Sequence, residues 1–124
     1  NCVSYDPTFA YEVAVILQDG MRRMYQEGEN VFYYITTLNE NYPMPALPDG
    51  AEEGILRGMY PLQNAATSKR PTVQLMGCGA ILNEVLAAAD LLRADWGVEA
   101  GTWSTPSLNE LARDGADVER WNRA

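Results

Sequence analysis

The sequence contains no histidine, cysteine occurs only twice, and nine basic residues face seventeen acidic ones. The missing histidine removes Ser-His and Cys-His nucleophile activation, histidine metal sites and the usual proton shuttle near neutral pH. Any catalysis would therefore rest on carboxylates or on a bound cofactor. Cys2 and Cys78 are too few for a disulfide framework and lack metal-ligand spacing, so they read as two reduced thiols. The formal charge of -8 repels phosphate backbones and anionic lipid, and the only basic spots are Arg22-Arg23 and Lys69-Arg70. Neither nucleic acid nor membrane is expected as a partner. No apolar run approaches the ~20 residues of a membrane span, and Asn1 does not open a basic-then-apolar leader. A cytoplasmic location is the expectation. With 47% hydrophobic residues in 124, the chain can bury at most one compact core.

The residues that are present punctuate the chain clearly. Asp6-Pro7 has the form of a helix start, since Asp accepts from free amides and Pro gives up no needed donor at the first helical position. A helix is expected over 7–26, with Val13, Ile16, Leu17, Met21 and Met24 as its apolar face and Gly20 allowing close approach to a sheet. Gly28 stops it. The β-branched and aromatic run Val31 to Thr37 lacks polar alternation and suits a central strand covered on both faces. Pro43, Pro45 and Pro48 then take the chain out of the sheet. A short helix over 51–57, an edge strand over 59–62 and a polar linker over 64–70 follow. Beyond Pro71, a strand is expected at Thr72 to Met76 and a helix over 79–95 with Ile81, Val85, Ala89 and Leu92 on one face. A second strand at Thr102 to Thr105 completes the pattern. Ser107 with Glu110 has capping-box spacing, and Leu108, Leu111, Val118 and Trp121 form a stripe interrupted at Gly115. The fold class is α/β. Each half offers only one or two clear strands where a doubly wound domain has roughly four or more.

Four groups of residues are candidates for chemistry. Gly77-Cys78-Gly79 lies between a strand and a helix, where amides can present to a phosphate, but Leu82 stands where the third glycine of a dinucleotide motif belongs. A tight turn with small residues for packing is the other reading. Glu52-Glu53, Asp90 with Asp95, and Asp114 with Asp117 and Glu119 are acidic clusters without the ligand alternation of a calcium loop. They read as solvated surface, with Arg113, Asp114, Glu119 and Arg120 in surface ion pairs. Phe32, Tyr33 and Tyr34 read as core packing on alternate faces, against a cofactor wall as the sharper reading. Asn39, Glu40 and Asn41 follow a presumed parallel strand at its carboxyl end, where open α/β sheets place ligands. Their alternative is ordinary turn hydrogen bonding.

The segments SYDPTFAYEVAV, ENVFYYITTLNENYPMPALPDGAEEG and NELARDGADVERWN, in that order, resemble the homodimeric, thiamine diphosphate-dependent first component of the pyruvate dehydrogenase complex. The resemblance covers essentially the whole chain, whereas members of that family are several times longer. It implies a partial thiamine-diphosphate-enzyme fold: 1–48 as the end of the pyrimidine-binding middle domain, 49–70 as a connector, and 71–124 as the start of a transketolase-like C-terminal domain. For the parent it implies an oxidoreductase that decarboxylates pyruvate on thiamine diphosphate with magnesium and acetylates a lipoyl group on the acyltransferase of the complex. The family's GDG motif, its activating glutamate and its His-rich segment do not occur here. No catalytic, cofactor-binding or metal-binding residue is therefore transferred to a numbered position, and no cofactor is expected in this piece. The expectation is an inactive internal piece that acts as scaffold. The alternatives are an independent small α/β binding module at Gly77 to Gly79 and a segment that self-associates through strand edges.

Overall fold

Alternation begins at once: Val3 and Tyr5 are buried while Cys2 and Ser4 are half-buried, and Cys2–Tyr5 forms the first strand, β1. The computed structural model describes residues 1–66 and 69–123. After β1 comes α1 (Ala10–Met21), extended by one π-helical turn (Arg22–Gln26), and then β2 (Phe32–Ile35), which pairs with β1 in parallel, Val3 opposite Tyr33. This is one βαβ unit. A second follows: β4 (Thr72–Gly77), α3 (Ile81–Trp96) and β5 (Glu99–Ser104), with β4 and β5 parallel and in continuous register from Thr72 opposite Glu99 to Gly77 opposite Ser104. Between the units lie α2 (Glu52–Arg57) and β3 (Tyr60–Gln63). β3 adds antiparallel to the other edge of β5, giving the order β3-β5-β4. Pro61 sits on this edge strand, where a missing amide does least harm. The chain closes with α4 (Leu108–Arg123). Thr67 and Ser68, part of the expected polar linker, lie outside the described residues.

The expected elements form, with β5 spanning Glu99–Ser104 rather than Thr102 to Thr105, and with four further differences in placement. First, α1 starts at Ala10 rather than at Pro7, because Glu12 turns back and accepts from the amides of Thr8 and Phe9. Asp6 is thereby released from capping and accepts the Thr36 hydroxyl instead. Second, the buried stripe of α1 is Glu12, Ile16 and Gly20, spaced by four, whereas Leu17 and Met21 are 50% and 57% exposed. An i, i+4 row occupies one face of a helix, and the expected set straddled two. Gly20 does allow the expected close approach: a methyl there would lie 3.3 Å from the ring of Tyr33. Third, β2 is covered on one face only. Tyr33 stacks on Tyr5 with ring centres 6.2 Å apart, while Phe32 and Tyr34 are 59% and 61% exposed. Among the described residues only β1 pairs with β2. Fourth, α3 buries Leu82 and Ala89 with Val85 and Leu92 half-buried, and leaves Ile81 on the outside.

The main core joins the first unit to α2 and β3, the elements between the units. Val3, Tyr5 and Ile16 from the first pack with Ala51, Ile55 and Tyr60, and Tyr11, Val15, Tyr33 and Leu62 seal the margin. α2 ends at Gly58 in the left-handed region (φ 100°), whose amide and that of Met59 return to the last carbonyls of the helix. Half of the expected capping box forms at α4: the Glu110 amide donates to the Ser107 hydroxyl at 3.1 Å, while the Ser107 amide goes to the Gly58 carbonyl and the Glu110 carboxylate to Arg113. It runs unbroken through Gly115, buries no residue, and leaves Leu108, Val118 and Trp121 exposed.

Candidate functional site

The carboxyl ends of β1, β4 and β5 converge on one small cleft. The Asp6 amide donates to the Pro106 carbonyl at 2.6 Å, Gly79 donates its amide to the Asp6 carbonyl at 3.2 Å, and the Thr105 amide donates to Gly77 at 2.8 Å. These three bonds draw Ser4, Asp6, Cys78, Thr105, Ser107 and Asn109 around an open space of about 150 Å³. Gly79 (φ 51°) is needed here, since a methyl on it would also lie 3.0 Å from the Asp6 carboxylate oxygens. Gly77 lets α3 come close: a methyl there would lie 2.9 Å from Val85 and 3.0 Å from the Leu82 backbone. Leu82, which breaks the dinucleotide pattern, is itself fully buried core. The turn 77–79 thus performs the packing work of small residues.

Chemically the cleft is quiet. Burial, and then the hydrogen bond to the Asp6 carboxylate, push the Cys78 thiol above its ordinary pKa, which keeps it protonated and weakly nucleophilic near neutral pH. The lining carries one carboxylate and no cation. A diphosphate-bearing cofactor needs counter-charge and metal ligands and is held by a cleft of ~300 Å³ or more. No group of three or more His, Cys, Asp or Glu able to hold a metal occurs among the described residues. The residues lining this cleft do not fit such a group.

Asn39, Glu40 and Asn41 lie exposed in the irregular segment after β2, outside the cleft lining. Their strand end meets the cleft at Thr36, whose hydroxyl donates to Asp6. The same segment is tied back by Tyr42, whose hydroxyl donates to the Thr8 carbonyl. The acidic clusters sit on the surface. Glu53 pairs with Arg57 at 3.5 Å, Asp90 with Arg93 at 3.2 Å, Asp114 with Arg57 at 4.0 Å, Asp117 with Arg120, and Glu119 with Arg123 at 3.2 Å. Arg113 pairs with Glu110. Exposed pairs of this kind contribute little individually. Tyr33 donates to Asp19 at 2.8 Å and accepts from Arg23 at 3.1 Å, which fits packing rather than a cofactor wall. Both cysteines are free.

The residue that sequence reasoning missed is Glu12. Its carboxylate is fully buried. One oxygen takes the Thr8 and Phe9 amides. The other takes the hydroxyls of Tyr60 and Ser104, each at 2.6 Å, and Tyr60 in turn shares a 2.6 Å bond with the Tyr11 hydroxyl. Burial and the facing carboxylate drive the Tyr60 phenol far above its ordinary pKa, so it remains a donor. The available signal was the pair Phe9 and Glu12, which carries half of a capping box at the helix start.

Comparison with known proteins agrees with this two-unit construction. Residues 1–45 match the family profile "Pyruvate dehydrogenase E1 component middle domain", and residues 58–121 match "Transketolase-like TK C-terminal domain". The chain is 60% identical over 123 residues to the pyruvate dehydrogenase E1 component of Escherichia coli K12 and 58% identical over 123 residues to that of Cupriavidus necator. In each case the match takes in 98% of this chain and 14% of the relative. The chain thus spans about a seventh of the length of the curated relatives it matches. In fold it is similar to a transketolase from Pichia stipitis, with a TM-score of 0.63 at 17% identity over 90% of this chain and 15% of that one. No described helix is long and apolar enough to cross a membrane. The profile over 58–121 takes in half of the chain, which therefore belongs to the transketolase-like C-terminal domain family, preceded by residues 1–45 that match the pyruvate dehydrogenase E1 middle-domain profile.

Proposed function

We propose that this polypeptide is scaffold within a longer, cytoplasmic, homodimeric pyruvate dehydrogenase of the acetyl-transferring E1 type. Residues 1–48 close its middle domain, 49–70 connect, and 71–124 open its C-terminal domain. The whole enzyme decarboxylates pyruvate with thiamine diphosphate and magnesium and passes the acetyl group to a lipoylated acyltransferase. The observation that carries this reading is the tandem order of the two family matches at 55–60% identity to E1 components. The exposure of Phe32 and Tyr34 on the open face of β2 adds support, as a strand face of large apolar side chains is one that further chain of a longer protein can cover.

On this reading the decarboxylase site lies in parts of the longer enzyme outside this chain. The test is calorimetric titration of the folded chain with magnesium and thiamine diphosphate, together with turnover of pyruvate in the presence of an artificial electron acceptor. Neither saturable heat nor turnover is expected. Either one would overturn the scaffold reading and require a cofactor site in this chain.

A further inference from the structure

We infer that the buried Glu12 carboxylate is a joint that makes the two family segments open as one cooperative unit. It sits in α1, in the segment 1–45, yet two of its four donors are Tyr60 of β3 and Ser104 of β5, 48 and 92 residues away in sequence. All four of its partners among the described residues are neutral donors. Removing one side leaves buried carboxylate oxygens without their donors in a site that water does not reach. The two sides therefore separate only if the site floods, which couples their opening.

The same seam carries four further bonds between residues 4–8 and 79–107. Thr8 donates its hydroxyl to the Gly79 carbonyl at 2.9 Å, Gly79 donates its amide to Asp6, Asp6 donates to Pro106, and Ser107 donates its hydroxyl to the Ser4 carbonyl at 2.6 Å. A two-stranded sheet such as β1-β2 is marginal alone. Its persistence is thereby tied to the three-stranded sheet, and a displacement at the start of α1 is transmitted to the end of β5 and the start of α4.

The inference is independent of the proposed activity and is tested on the 124-residue chain by hydrogen exchange against denaturant. Amides of β1 and β2 are followed separately from those of β4 and β5. In the parent chain the two sets are expected to lose protection at one midpoint, and Glu12→Ala is expected to split them, with β1-β2 opening first. Gly97→Ala, remote from the joint, is the control for destabilisation alone and is expected to lower both midpoints together. Separate midpoints in the parent chain, or coincident midpoints in Glu12→Ala, would overturn the inference. If Glu12→Ala shows no protection anywhere, Ser104→Ala decides: it deletes one donor and leaves the carboxylate, and coincident midpoints there would equally overturn it.

Discussion

Replacement of Gly58 by alanine isolates the contact that seats α2 against α4. Gly58 has φ 100°, and a methyl on it would fall inside the contact distance of the Ser107 carbonyl oxygen, 3.0 Å from the Leu111 nitrogen and 3.1 Å from the Ser107 carbonyl carbon. These are backbone atoms. They are also held in place, because Ser107 donates its amide to the Gly58 carbonyl at 3.3 Å and Leu111 donates to Ser107 at 3.1 Å. A left-handed alanine costs about 1–2 kcal/mol, and an unrelieved overpacking contact adds about 1–3 kcal/mol. Gly97 provides the subtraction: it too is left-handed, at φ 62°, but nothing lies within 4 Å of its would-be methyl. For a domain of this size each kcal/mol moves Tm by roughly 3–6 °C. Thermal denaturation followed by circular dichroism is expected to place G97A about 3–12 °C below the parent and G58A about 6–30 °C below it, two to three times as far. Equal losses in the two variants would refute the claim that the backbone of Ser107 and Leu111 blocks the site.

Other expectations follow from the buried network and the helix-sheet contact. Tyr60→Phe withdraws a hydroxyl from the Glu12 carboxylate and from Tyr11, and is expected to cost about 1–3 kcal/mol in chemical denaturation; an unchanged midpoint would mean that water replaces the donor. Gly20→Ala sets a gain in helix propensity of about 1 kcal/mol against a tight 3.3 Å approach to Tyr33, so near-neutrality is expected. Gly20→Leu is expected to expel the Tyr33 ring, read as loss of the near-ultraviolet tyrosine signal. Burial, and then the Asp19 carboxylate that accepts its hydroxyl, push the Tyr33 phenol up to about 12 from 10.0. The unfolded chain thus releases this proton first. The stabilisation is whole below pH 10 and is lost as pH rises through the folded value, so alkaline unfolding followed by phenolate absorbance is expected to show a late Tyr33 step. Asp19→Asn should bring that step to lower pH; no movement would count against the Asp19 contribution.

The candidate site was legible where local chemistry decided it. The Gly77-Cys78-Gly79 turn was placed correctly between strand and helix, and its packing role follows from the same missing third glycine that argued against a dinucleotide. The meeting of Asp6 with Cys78 and Thr36 was not legible, because 72 and 30 residues of chain separate these groups and no spacing rule spans such a loop. Glu12 escaped for a different reason. A glutamate beside an apolar stripe reads as solvated flank, and only the arrival of Tyr60 and Ser104 from distant strands makes its burial tolerable.

Residue order alone determined the element types and their punctuation. Gly28 follows the end of the first unit's helix, Pro43, Pro45 and Pro48 keep the segment after β2 out of a ladder, and Ser107 with Glu110 begins α4, since backbone sterics and capping act over only a few residues. Sequence order also carried the family resemblance. Which face each helix buries was decided by tertiary contact: Ile16 rather than Leu17, and Leu82 rather than Ile81. A one-residue step rotates a helical side chain by ~100°, and only the position of the sheet selects between neighbours. The same holds for β2, whose uniform apolar run is indifferent to which side is covered, so the single layer supplied by α1 left Phe32 and Tyr34 exposed.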